Sequence, residues 1–246
     1  MENSNSTARK DGQTMHQLLQ EIGALPEDWH AAGTMGSSVL HAIARHTGNR
    51  EIMYSAETGS GKTTLLFSHL SREHKVFALE GDNRSITVVR NSPLFNRSAV
   101  EFIEGPTQVT LPLYRFEHKL QMVLIDGPHG YPFPEMEYFF FYPHLDKDAL
   151  LLVDDIHIPT IHRLYEFLKE DEMFRLLEVV KNTAFFARTD RPLFDPHGDG
   201  WWLQEFNKRR FPVGCKRTAL GHFRGWVGRR LPGPVKRAIK RSLGRW

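Results

Sequence analysis

The 246-residue chain has a single cysteine, Cys215. That excludes an internal disulfide and a zinc–cysteine cluster, and it points to a reducing compartment. No run approaches the roughly 20 apolar residues of a membrane-spanning helix. Met1 to Gln13 is polar and has no apolar core, so a secretory signal is not expected and the cytoplasm is. Residues 1–14 read as a disordered lead-in. Acidic groups are missing altogether from Lys208 to Trp246, a stretch holding 13 of the 32 basic residues. The rest of the chain therefore carries 19 basic and all 29 acidic groups, a balance of −10. The net charge of +3 hides an acidic body with a basic tail.

The body shows alternating signals and no internal repeat. Leu18, Leu19 and Ile22 have helical spacing, Pro26 and Gly33 break it, and Leu40, Ile43 and Ala44 fit a second amphipathic helix. Short apolar runs at Glu51–Ala56, Lys75–Leu79, Ala99–Ile103, Gln121–Ile125 and Ala149–Val153 predict five strands. Helical patterns fall between them at about Thr63–Ser71, Ser85–Asn91 and Phe133–Tyr142, and Ile161–Glu170 follows the fifth. Phe174–Val180 and Thr183–Arg188 suit a closing hairpin. Strand and helix alternating at this spacing imply βαβ units, hence an α/β fold with a mostly parallel seven-stranded sheet and helices on both faces. Ligands bind such sheets at the carboxyl ends of the strands, so the residues there carry the argument.

The first strand runs into Ala56-Glu57-Thr58-Gly59-Ser60-Gly61-Lys62-Thr63-Thr64. Its glycines allow close backbone approach, and the following helix offers oriented N–H donors. Three readings stay open: a nucleotide-cofactor loop, a Walker A phosphate loop with Ala at its first position, or a tight turn without a ligand. Glu80, about 20 residues on, suits a carboxylate that accepts hydrogen bonds from ribose hydroxyls. The Glu104-Gly105-Pro106 turn would flank a base. Asp126-Gly127-Pro128-His129-Gly130-Tyr131 follows the fourth strand, and Asp154-Asp155-Ile156-His157 the fifth. Adjacent strand ends would bring three carboxylates and one or two histidines together. Hard oxygen donors favour Mg²⁺ or Ca²⁺ over zinc, and a neutral histidine suits general-base work. Helix capping by the Asp pair, a Walker B acid pair and a structural turn histidine are the competing readings.

From about Ser37 to Arg188 the chain resembles the class I S-adenosylmethionine-dependent methyltransferases. It is most similar to the branch with an Ile-Asp-Gly-x-His-x-Tyr motif, which includes sugar and macrolide O-methyltransferases. Ile125 to Tyr131 carries that motif, and His144 to Asp155 looks like the segment that follows it. The resemblance implies a Rossmann-like methyltransferase fold with S-adenosylmethionine bound at Glu57, Thr58, Gly59, Ser60, Gly61, Glu80, Gly105 and Asp126. It implies Mg²⁺ at Asp126, Asp154 and Asp155, and catalysis by Asp126 with His129 as base and His157 in reserve. Thr63 stands where the family loop has its last glycine, and Lys147-Asp148 where a Gly-Gly turn is expected.

The domains read as 15–205, a methyltransferase domain with N-terminal helices, and 206–246, a basic tail. Val235, Ile239 and Leu243 form an apolar stripe flanked by Lys236, Arg237, Lys240 and Arg241. Such a segment suits the surface of an anionic membrane, and nucleic acid or simple solvation are the other readings. The expected function is O-methylation of a hydroxyl on a small molecule or saccharide. Two alternatives are a P-loop nucleotide hydrolase, with residues 56–63 as Walker A and 150–155 as Walker B, and a non-catalytic membrane-associated adaptor.

Overall fold

A computed structural model describes residues 14–26, 28–29, 35–48, 50–81 and 84–210. The amphipathic stripe at 235–243 lies outside them. Two units are distinguished, 1–200 and 201–246. In the second, the described part is a turn at Trp201–Leu203 and the short helix α8 (Glu205–Arg210), where Asn207 Nδ2 donates to the Trp201 carbonyl at 3.0 Å.

The first unit opens with helices α1 (Met15–Ala24) and α2 (Ser37–Thr47). Thr14 starts α1 by capping: its hydroxyl accepts the Gln17 N–H, and the Gln17 side chain accepts the Thr14 N–H. The elements that follow are β1 (Ile52–Thr58), α3 (Lys62–Leu70), β2 (Ser71–Ala78), α4 (Ser85–Asn91) and β3 (Val100–Glu104). Next come α5 (Thr107–Leu113), β4 (Leu120–Ile125), α6 (Phe133–Phe141) and β5 (Leu145–Val153). The unit ends with α7 (Pro159–Glu170), β6 (Phe174–Val180) and β7 (Thr183–Arg188). None of the described helices is long and apolar enough to cross a membrane.

The seven strands form one sheet in the order β3-β2-β1-β4-β5-β7-β6. β1 to β5 pair in parallel, whereas β7 is antiparallel to both β5 and β6. The sheet is thus mixed: the expected hairpin exists, and its second strand inserts beside β5. Period-two alternation splits the core. On one face α5, α6 and α7 pack over Val123, Ile125, Leu151, Val153 and Phe186. On the other, α1, α2 and α3 cover Met122, Leu124, Leu150, Leu152 and Phe185. Phe185 and Phe186 are both 0% exposed, on opposite faces of one strand. Burying each contributes about 1.5–3 kcal/mol, which fixes the register of β7.

Three details differ from the sequence reading. β1 continues through Glu57 and Thr58, because both side chains find partners inside. The helix α5 was not expected, since it is short and contains Pro112. The expected turn at Lys147-Asp148 instead falls within β5, in a bulge between Leu145 and Leu150, where Asp148 takes φ +60°, the left-handed conformation that glycine would supply. Aspartate tolerates it better than most residues, and the Asp148 carbonyl accepts a hydrogen bond from Arg50 Nη1 at 2.6 Å.

Candidate active site

A cleft of about 890 Å³ opens at the carboxyl ends of the parallel strands. Its walls come from the ends of five strands: Gly59 to Thr63 after β1, Leu79 and Gly81 after β2, Gly105 to Gln108 after β3, Asp126 to His129 after β4, and Asp154 and Asp155 after β5. Met35, Phe77 and Phe133 complete it. The volume is that of a small-molecule or cofactor pocket.

The glycine loop is shaped by its neighbours. Gly59 has φ +82°, and its missing Cβ would stand 2.4 Å from the Asp126 carbonyl oxygen. β1 and β4 can therefore end side by side only if position 59 is bare. The loop is also held from below. The Glu57 carboxylate, 0% exposed, accepts the Thr64 hydroxyl, whose oxygen accepts the Gly61 N–H at 3.0 Å. His74 Nε2 comes to 3.2 Å from Glu57 Oε1 without an aligned hydrogen bond, while its Nδ1 pairs with Ser55 Oγ at 2.7 Å.

Of the residues expected at a cofactor, Gly59, Ser60, Gly61, Gly105 and Asp126 line the cleft. Glu57 and Thr58 lie beneath it and brace its floor. Glu80 sits between cleft-lining Leu79 and Gly81, with its carboxylate turned toward α4, where both oxygens accept the Thr87 N–H at 3.2 Å. Thr63 lines the wall from the first turn of α3. Lys62, which a phosphate loop would aim at a nucleotide, donates to the Leu25 carbonyl at the end of α1, at 2.8 Å. That geometry does not serve the Walker A reading.

Beside the glycine loop, Asp126, His129 and Asp155 each offer a ligand atom, all within 4.8 Å of one another. His129 Nε2 stands 3.5 Å from Asp155 Oδ2 and 3.9 Å from Asp126 Oδ1. The Asp126 carboxyl is pushed up from its ordinary value, first by burial and then by Asp154, Asp155 and Glu57, with the His129 hydrogen bond opposing. The His129 imidazole is raised, chiefly by the Asp126 hydrogen bond. Asp154, also raised by burial, spends Oδ1 on the Thr183 hydroxyl of β7. Among the predicted acids the structure thus draws Asp126 and Asp155 together with His129, while Asp154 faces the last strand. Asp155 adopts φ +53°, a left-handed conformation of the kind concentrated at functional sites. His157 lies at the rim, about half exposed, with Nδ1 3.6 Å from Asp155 Oδ1.

Two residues of this region were missed from sequence. Thr107 begins the unexpected helix α5 and lines the cleft. Glu137, 0% exposed on α6, accepts the Thr58 hydroxyl at 2.8 Å. The available signal was a pair of acids, Glu135 and Glu137, inside an aromatic helix expected to bury itself.

An open α/β sheet of this order, with a bare glycine loop after β1 and acids after β4 and β5, defines the class I methyltransferase fold. Residues 56–156 match a family described as "Methyltransferase domain". The fold is shared with solved structures at low identity. The O-methyltransferase TomG from Streptomyces achromogenes, in complex with SAM, is 12% identical with a TM-score of 0.53, over 70% of this chain and 90% of that one. The Bacillus cereus O-methyltransferase in complex with SAH is 15% identical, TM-score 0.50, over 71% and 90%. The SAH-bound Podospora anserina methyltransferase PaMTH1 is 17% identical, TM-score 0.51, over 71% and 88%. No curated protein sequence matches. Residues 56–156 thus resemble a methyltransferase domain, and the chain shares the fold of these S-adenosylmethionine-dependent O-methyltransferases.

Proposed function

We propose that the protein methylates a hydroxyl of a small molecule or saccharide where Asp126, His129 and Asp155 meet the cofactor cleft. The observation that carries this reading is the convergence of a basic nitrogen and two carboxylates in the cleft that a bare glycine loop also lines. The residues present fit S-adenosylmethionine: the backbone at Gly59 permits close approach, and Ser60, Gly61 and Gly105 face the same space. Glu80 would take the ribose hydroxyls by exchanging its contact with Thr87.

Bound S-adenosylmethionine supplies an electrophilic methyl carbon on a sulfonium leaving group. Asp126, His129 and Asp155 would hold the acceptor hydroxyl in line with that carbon, with the thioether sulfur as the leaving group. His129 Nε2 takes the proton from the acceptor hydroxyl, and Asp126 and Asp155 stabilise the imidazolium that forms. His157 stands next in line to carry the proton to solvent. Positioning supplies most of the rest of the rate, because the displacement must be in line.

The same three groups, with Asp154 beside them, fit a Mg²⁺ ion: hard carboxylate oxygens predominate, and Asp126 and Asp154, both raised by burial, gain from a cation. An ion there would lower the pKa of a bound hydroxyl. The basic tail is read as an anchor to anionic membrane surface, which suits an acceptor carried on a lipid or a cell-surface glycan; flotation with anionic vesicles, lost on removing residues 206–246, tests it.

The enzymatic reading is tested by transfer of labelled methyl from S-adenosylmethionine to a panel of vicinal diols and sugars. Transfer to at least one, abolished in His129→Ala, is expected. Transfer to amines alone would refute the proposal.

A further inference from the structure

The buried acid Glu137 is used by neither the cofactor contacts nor the proton transfer described above. Its carboxyl meets three of the segments that shape the cleft. Oε2 accepts the Thr58 hydroxyl at 2.8 Å, and the same hydroxyl oxygen accepts the Asp126 N–H at 2.9 Å. Glu137 thereby holds the end of β1 to the first residue of the catalytic turn.

Oε1 lies against Gly127. A Cβ there would be 2.1 Å from that oxygen and 2.7 Å from the carboxyl carbon. Gly127 is bare because Glu137 fills the space behind it. The same Oε1 is fully buried and has no hydrogen-bond partner, and neither does the buried Thr107 Oγ1 at the start of α5. Burial pushes Glu137 up to about 7, and the Thr107 hydroxyl, close by but short of an aligned hydrogen bond, opposes the rise together with that of Thr58. Two unpaired polar atoms in the same wall each carry a desolvation cost that a mutual hydrogen bond would remove. Gly127 and Thr107 both line the cleft, so their backs rest on one side chain.

We propose that Glu137 is a positioning residue of the cofactor cleft, its carboxyl joining Thr58, Gly127 and Thr107 behind the cleft wall. The inference rests on S-adenosylmethionine as cofactor. Glutamine at this position can accept from Thr58 and donate to Thr107, so it reproduces the connection without a charge. Leucine fills the space and makes neither bond. Valine at 107 keeps the shape of threonine and loses the hydroxyl.

The test is calorimetric binding of S-adenosylhomocysteine to full-length protein, with melting temperature measured alongside. Glu137→Gln should bind within about threefold of wild type. Thr107→Val should weaken binding about tenfold with an unchanged melting temperature, and should add nothing when combined with Glu137→Leu. Wild-type affinity in Thr107→Val, or a loss in Thr107→Val that adds in full to that of Glu137→Leu, overturns the proposal. Thr107→Val keeps the test decisive if Glu137→Leu does not fold. Absence of binding to the wild-type protein would instead overturn the cofactor reading, and this proposal with it.

Discussion

The Cβ that Gly59 lacks would lie 2.4 Å from the carbonyl oxygen of Asp126. The glycine loop after β1 and the turn after β4 are therefore packed backbone to backbone, and position 59 is kept bare by Asp126. Gly59→Ala adds a methyl group in that gap and places a non-glycine residue at φ +82°, a cost of about 1–2 kcal/mol before any overlap. A melting temperature lower by roughly 4–8 °C is expected. Binding of S-adenosylhomocysteine should fall at least about tenfold. Scanning calorimetry and titration calorimetry on the same sample check both.

The proton acceptor should reveal itself in the pH profile. Asp126 raises the pKa of His129, and the base works only when neutral. The rate should climb with pH through a value above the ordinary 6.5 of histidine. Asp126→Asn removes the principal cause of the rise, so the limb should move to lower pH. His129→Ala should abolish the limb and lower kcat by about 10²–10⁴-fold, leaving cofactor affinity within about threefold. A limb that survived in His129→Ala would assign the base to another group.

A divalent cation at Asp126, His129 and Asp155 would bind the folded chain and not the unfolded one. Mg²⁺ at about 100 times its dissociation constant should then stabilise the protein by about 2.7 kcal/mol. Asp155→Asn, which removes a charged ligand, should lose most of that gain. Thermal melts with Mg²⁺ and with chelator, in both proteins, measure the difference. Equal melts in all four conditions would leave His129 free for proton transfer alone.

Glu137 should make stability depend on pH. Its folded-state pKa is raised from 4.5 to about 7. The folded state therefore holds the proton more tightly, and this contribution is complete below about pH 4.5 and lost as pH rises through 7. A shift of this size corresponds to about 3 kcal/mol. Glu137→Gln cannot ionise, so its advantage over wild type should grow between pH 5 and pH 8. Denaturant melts at the two pH values give the comparison.

The order of strands and helices was legible because apolar runs and helical stripes alternate along the chain. Ile125 to Tyr131 was legible because a strand end loaded with Asp, Gly and His has few uses. The bracing of the site was not. Glu57 reads as a cofactor ligand by its place before the glycines, yet in the fold it holds Thr64 and thereby the Gly61 backbone. Nothing local reveals that, because His74, which faces it, is 17 residues away and reaches it only through the register of β1 against β2. Lys62 mimics a phosphate-binding lysine in sequence, and its contact with Leu25 depends on how α1 packs. Asp154 and Asp155 are neighbours in the chain, but the left-handed backbone at Asp155 helps send one toward β7 and the other toward His129.

The insertion of β7 between β5 and β6 also has a meaning in time. Thirty residues separate the end of β5 at Val153 from the start of β7 at Thr183. At about 5–20 residues per second, a ribosome needs roughly 2–6 s to make them. Throughout that interval the nascent chain carries Ala149 to Val153 as an unpaired apolar edge, a surface on which a chaperone can act. Asp154 acquires its Thr183 partner only when this edge is closed. The surroundings of Asp154 are thus the last part of the sheet to be synthesised into place, and a polypeptide stalled before Thr183 has its glycine loop but lacks the strand that holds Asp154.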